Sequence, residues 1–163
     1  MRHARLVLFA AIFANVLSTP AGAAQTTAVT TVNVVRPVSI SKLQDMDFGT
    51  LTFAGFTGTR TITLSRAGAM TCATDIVCSG VPKQARFNVQ GTNKMVVLLT
   101  YSGGTLSNGV DSIPFTADGP ASITMINSGA PGLSFDVGGV LTVSPTLVGG
   151  VYSGTMTVTA DYQ

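Results

Sequence analysis

The clearest pattern along the chain is a two-residue alternation near its C-terminal end. From Thr155 to Tyr162, Met156, Val158, Ala160 and Tyr162 fall on one face. Thr155, Thr157, Thr159 and Asp161 fall on the other. That period marks a β-strand with one buried face. Ala85 to Gln90 repeats it, with Ala85, Phe87 and Val89 opposed to Arg86, Asn88 and Gln90. Thr61 to Ser65 places Ile62 and Leu64 together. Met95 to Tyr101 is an apolar run that predicts a central strand buried on both faces. Ser122 to Asn127, Leu133 to Val137 and Val140 to Val143 are further runs. Gly103-Gly104, Asn108-Gly109, Asp118-Gly119, Gly138-Gly139 and Gly149-Gly150 punctuate these segments and suit tight turns. Enrichment in Thr and Val supports strands, because β-branched side chains fit a pleated surface. No helical periodicity of useful length follows residue 24. The pattern predicts an all-β antiparallel sandwich or barrel.

The first residues obey another rule. Arg2, His3 and Arg5 precede an apolar run from Leu6 to Val16, and Ala21-Gly22-Ala23-Ala24 follows Pro20. A basic start, an apolar centre and a small-residue cleavage site describe a secretory signal peptide over residues 1–23. The alternative is a membrane anchor, but the run is about 11 residues where a span needs ~20. Residues 24–163 then form a single domain without a transmembrane span, exported to the periplasm, the cell surface or the extracellular space. Its first part, residues 25–36, reads as an N-terminal extension.

Cleavage changes the charge. The whole chain of 163 residues has 9 Lys+Arg, 7 Asp+Glu and a formal charge of +2. Arg2 and Arg5 leave with the signal, so the mature domain carries seven charges of each sign. A neutral domain with 10% charged residues in the precursor lacks the basic patch that nucleic-acid binding needs.

Candidate chemistry is sparse. Cys72 and Cys78 are the 2 cysteines, and in an exported chain they predict a disulfide. It reads as a clip on a hairpin tip near Asp75, stabilising by roughly 2 kcal/mol. A redox pair is the alternative, but CxxC spacing is absent. The chain has no Glu, and its 1 His is His3. Ser-His-Asp and Cys-His arrangements are therefore impossible after cleavage. Zinc loses its commonest ligands, and no phosphate-binding loop or nucleophile elbow appears. Asp45 and Asp47 are the closest carboxylate pair. They read as a polar loop before Phe48-Gly49, with an Asp-only glycosidase or a calcium ligand pair as the remote alternative. A sugar site would need an aromatic platform, and only Tyr101, Tyr152 and Tyr162 are available. No catalytic residue, cofactor or metal is expected.

Two stretches carry a resemblance. Pro37-Val38-Ser39-Ile40 is followed by Met46-Asp47-Phe48-Gly49. Phe135-Asp136-Val137-Gly138-Gly139-Val140-Leu141-Thr142-Val143 is followed by the segment from Gly149 to Tyr162. In order and spacing they resemble the secreted bacterial domain-of-unknown-function 4402 family over most of the mature chain. The end of the chain also resembles fimbrial subunits and spore-coat-U-type proteins of the chaperone–usher route. Tyr162 is penultimate, and Gly150 is fourteenth from the end. The resemblance implies a strand-incomplete, immunoglobulin-like (pilin-like) sandwich. A periplasmic chaperone and then the N-terminal segment of a like subunit would fill the missing strand.

On that reading the groove residues are Val38, Ile40, Met156, Val158, Ala160 and Tyr162. The donor row is Ala28, Thr30, Val32 and Val34. Donor segments of this kind often carry a glycine, and residues 25 to 48 hold none. The segment either donates to a neighbour or folds back into its own domain. The expected function is a non-catalytic surface or fimbria-like subunit. The alternative is a self-complete monomeric module that binds a glycan or a protein.

Overall fold

A computed structural model describes residues 22–163. The expected export signal lies outside the described residues apart from Gly22 and Ala23. The chain divides between Asn33 and Val34. No strand forms at residues 22–38, and Val34–Gln163 holds all twelve. In chain order these are β1 (Ser39–Gln44), β2 (Thr50–Phe53), β3 (Arg60–Leu64), β4 (Met70–Thr71), β5 (Ile76–Ser79) and β6 (Ala85–Gln90). Then follow β7 (Val96–Ser102), β8 (Gly104–Ser107), β9 (Ser112–Asp118), β10 (Ser122–Thr124), β11 (Leu133–Val143) and β12 (Thr157–Tyr162). No helix occurs among the described residues, so none is long and apolar enough to cross a membrane.

Every ladder is antiparallel. The larger sheet runs β1-β6-β11-β3-β4, with β9 also on β11 and β8 on β9. The smaller runs β10-β7-β12, and β2 pairs with β5 as a ribbon. The two main sheets face each other. Phe87, Val89, Phe135 and Val137 from the larger meet Val97 and Leu99 from the smaller, with Met125 beside them. Phe87 and Phe135 are cross-strand partners and stack at 5.7 Å. A second cluster gathers Ile62, Phe115, Leu141 and Val143 with Phe56 and Ile76. The fold is thus an antiparallel β-sandwich whose larger sheet curls.

Three expectations change. β7 is central in its sheet but is not buried on both faces. Val97 and Leu99 are buried while Leu98 and Thr100 are exposed, because a three-stranded sheet has a partner sheet on one side only. Leu133–Val137 and Val140–Val143 are not separate runs. They are the halves of β11, which passes straight through Gly138-Gly139. Its first half pairs with β6 and its second with both β3 and β9. The glycines mark close approach there, not a turn: Gly138 faces the backbone of Leu64 to Arg66, and Gly139 the Phe115 ring.

The third change concerns the disulfide. Cys72 and Cys78 are bonded, but they do not clip a hairpin. β4 pairs with β3, and β5 pairs with β2, so the bond ties the edge of the large sheet to the ribbon. Arg60 reinforces that corner with hydrogen bonds of 2.8 to 3.1 Å to Asp75. These bonds hold the Asp75 carboxyl below its ordinary range. A disulfide and the lack of a membrane-spanning helix among the described residues are both compatible with export.

Tyr101 fixes the smaller sheet to the loop after β9. Its hydroxyl donates to the Pro120 carbonyl at 2.8 Å, and burial pushes its pKa up to about 12. A raised folded-state pKa means stability that is complete below the unfolded value, ~10, and is lost as pH climbs towards 12. Alkaline titration should show one tyrosine ionising near pH 12, together with unfolding. Tyrosinate absorbance and circular dichroism check this, and Tyr101→Phe removes the late step.

Candidate functional site

The outer strands of the two sheets meet along a seam. β1 is the edge of the large sheet and β12 the edge of the small one. They lie side by side, yet no ladder joins them.

The backbone of β12 is half satisfied. Its register against β7 pairs Tyr162 with Val97, Ala160 with Leu99 and Val158 with Tyr101. Gln163 N–H donates to the Val96 carbonyl at 3.0 Å, which sets the phase of the ladder. Antiparallel pairs alternate between bonded and non-bonded positions. Thr157, Thr159 and Asp161 therefore aim their N–H and C=O groups at β7. Those of Val158, Ala160 and Tyr162 point the other way, across the seam. Among the described residues no strand pairs with that side. A free edge of this kind is a template for another strand.

The side chains agree with the backbone. β3, β6, β7, β9 and β11 each bury at least two inward residues to 8% exposure or less. β1 and β12 bury none to that degree. Val38 and Ile40 on one bank, and Met156, Val158, Ala160 and Tyr162 on the other, are all half-buried against the same core cluster. The six expected groove residues are thus brought together. They form two apolar rows that touch the core and are incompletely covered.

Beyond Met156 the seam widens into a cavity of about 640 Å³ between residues 42–51 and 150–156. Met46, Phe48, Leu51, Phe115, Tyr152 and Met156 line its apolar part. The sequence reading missed Leu51 and Phe115. Leu51 lies in the four-residue β2 and Phe115 beside Pro114 in β9, where no period reveals a shared face, while the motif Met46-Asp47-Phe48-Gly49, Tyr152 and Met156 marked the rest of the place. Asp45 and Asp47 stand on the rim without acting as a pair. Asp45 is bridged to Lys42. Asp47 Oδ1 accepts from Gly49 N–H at 2.8 Å while its backbone exchanges two bonds with Lys83. Among the described residues no cluster of His, Cys and Asp has metal-binding geometry.

The other end of the seam is closed by Tyr162. Its hydroxyl accepts from Thr92 N–H at 2.7 Å and donates to the Arg36 carbonyl at 2.7 Å. Gly91 makes room, since a Cβ there would lie 2.7 Å from the tyrosine oxygen. Ala28, Thr30, Val32 and Val34, the expected donor row, are all exposed and form no strand; Val32 is 85% exposed and Val34 79%.

Comparison with known proteins finds no match among curated proteins and none among solved structures. A family model described as Domain of unknown function (DUF4402) matches residues 38–162. The chain belongs to that family.

Proposed function

We propose that the domain is a non-catalytic surface subunit, fimbria- or pilus-like, completed by strand addition from a like subunit. A periplasmic chaperone would occupy the seam until then. The observation that carries this reading is the β12 edge. Its unpaired backbone groups and its half-buried apolar row belong to the same residues, Val158, Ala160 and Tyr162. One added strand satisfies both, because main-chain bonds supply affinity and alternate side chains fill the groove. The composition supports a structural role, with no Glu and a single His at position 3.

The test is a denaturing gel of surface extract. Unboiled samples should give a ladder of multiples that collapses to monomer on boiling. Monomer alone in the unboiled lane contradicts the proposal.

A second reading rests on the cavity, whose ~640 Å³ falls in the range of small-ligand pockets. As a self-complete binding module the protein would stay monomeric, and Tyr152→Ala would abolish ligand uptake without changing assembly.

A further inference from the structure

Arg36 is held at both of its backbone groups. Its N–H donates to Thr92 Oγ1 at 2.7 Å, and its carbonyl accepts from the Tyr162 hydroxyl at 2.7 Å. The hydroxyl is itself anchored by Thr92 N–H. Three residues far apart in sequence thus close a small circuit at the end of the seam where β1 begins. Pro37 follows. A residue before proline is confined to extended backbone. Ser39 is already paired with Gln90, so the chain cannot reverse any later without dismantling β1.

We infer that this circuit is a latch: it denies the seam to the chain's own N-terminal segment and reserves it for residues 26–35 of a second copy. To fill its own groove the chain must double back beside Val38 and Ile40. That needs a reversal within Val35–Val38, with Arg36 freed from both bonds and Pro37 at a turn position disfavoured in the commonest turn type. A second copy meets no such obstacle. Its segment is uncharged and alternates Ala28, Thr30, Val32 and Val34 against a seam lined by apolar side chains. Ten residues extend ~33 Å, enough to run past the six residues of β12 and reach the cavity. Thr92 is a positioning residue in this account, acting through Arg36.

This inference rests on the strand-addition reading, and the experiment separates the two. A labelled peptide of residues 24–35 is added to the full mature chain and to a chain lacking residues 24–33. The shorter chain retains the compact unit Val34–Gln163. Each is prepared with and without Thr92→Val, which removes the oxygen that accepts from Arg36 N–H, refolded at high dilution, and scored by peptide uptake. The expected result is ready uptake by both unsubstituted chains. In the full chain Thr92→Val should cut uptake about fivefold, the scale of losing one hydrogen bond. In the shortened chain the same substitution should have no effect, because no competing segment remains.

Thr92→Ala removes the same acceptor and should reproduce the pattern if Thr92→Val folds poorly. An equal loss in both chains means that Thr92 acts on the groove itself and overturns the latch. Undiminished uptake by the substituted full chain overturns it too. So does uptake by the shortened chain alone, which places the segment in its own groove. No uptake by any chain contradicts strand addition itself.

Discussion

Joining a second copy of residues 24–36 after Gln163 through a short flexible linker should raise the melting temperature by about 10 °C, for a net gain of ~3 kcal/mol. The chain leaves β12 at Tyr162, so an appended segment returns antiparallel to β12 along the seam. It meets the free groups of Val158, Ala160 and Tyr162. Each ladder bond contributes ~1 kcal/mol net, and each buried valine roughly 1.5–3 kcal/mol. Val38, Ile40, Met156 and the inward row of β12 lose their remaining exposure at the same time. Ordering the segment opposes this by ~1–2 kcal/mol per residue, which is why the net gain is a small fraction of the gross. A matched chain with Val32→Asp and Val34→Asp in the appended segment should melt like the unmodified protein. It would have to bury two carboxylates without partners. Thermal denaturation followed by circular dichroism checks both. An equal rise with the aspartates would mean that the segment stabilises from outside the groove.

The second large effect is expected at Gly138→Ala. A Cβ at this position would lie 2.2 Å from the Leu64 carbonyl oxygen and 2.9 Å from the Arg66 backbone nitrogen. Both obstacles are backbone, so no side chain can swing aside. β3 would have to leave β11 just where Gly139 pairs with Leu64, and Ile62 and Leu64 are fully buried on β3. Overpacking of this kind costs ~3 kcal/mol or more. Gly149→Ala is the control, because a Cβ there meets nothing within 4 Å. It should change stability by less than ~0.5 kcal/mol. Urea denaturation of the two variants should separate them clearly. A near-neutral Gly138→Ala would mean that β3 and β11 are not in close contact at this point.

Gly138 also shows where sequence reading ends. A glycine pair between apolar runs reads as a turn, and local pattern cannot tell that from a strand pressed against a neighbour's backbone. The strands with unbroken alternation were legible: β3, β6 and β12 lie within a residue or two of their expected bounds. β9 was not, because Pro114 interrupts its pattern, although Pro114 sits in the β8 ladder opposite Thr105. β2, β4, β5 and β8 have four residues or fewer, too short for a period to register.

The site divides in the same way. Its two apolar rows were visible, since β12 declares its buried face by alternation and Val38-Ile40 by resemblance. The cavity was not, because Leu51 and Tyr152 come together only when β2 and the segment before β12 converge. The circuit of Arg36, Thr92 and Tyr162 spans 126 residues and involves three main-chain groups that residue type does not reveal. No residue type announces it.

The central claim is that β12 is an edge waiting for a strand. Amide hydrogen exchange reads it most directly, measured residue by residue along β12 with and without the peptide of residues 24–35. Without peptide, Thr159 and Asp161 should be protected by β7, while Val158, Ala160 and Tyr162 exchange fast. With peptide, those three should slow by at least about a hundredfold, the protection expected of ladder bonds that open only in larger fluctuations. Fast exchange at Val158, Ala160 and Tyr162 under saturating peptide would contradict the account.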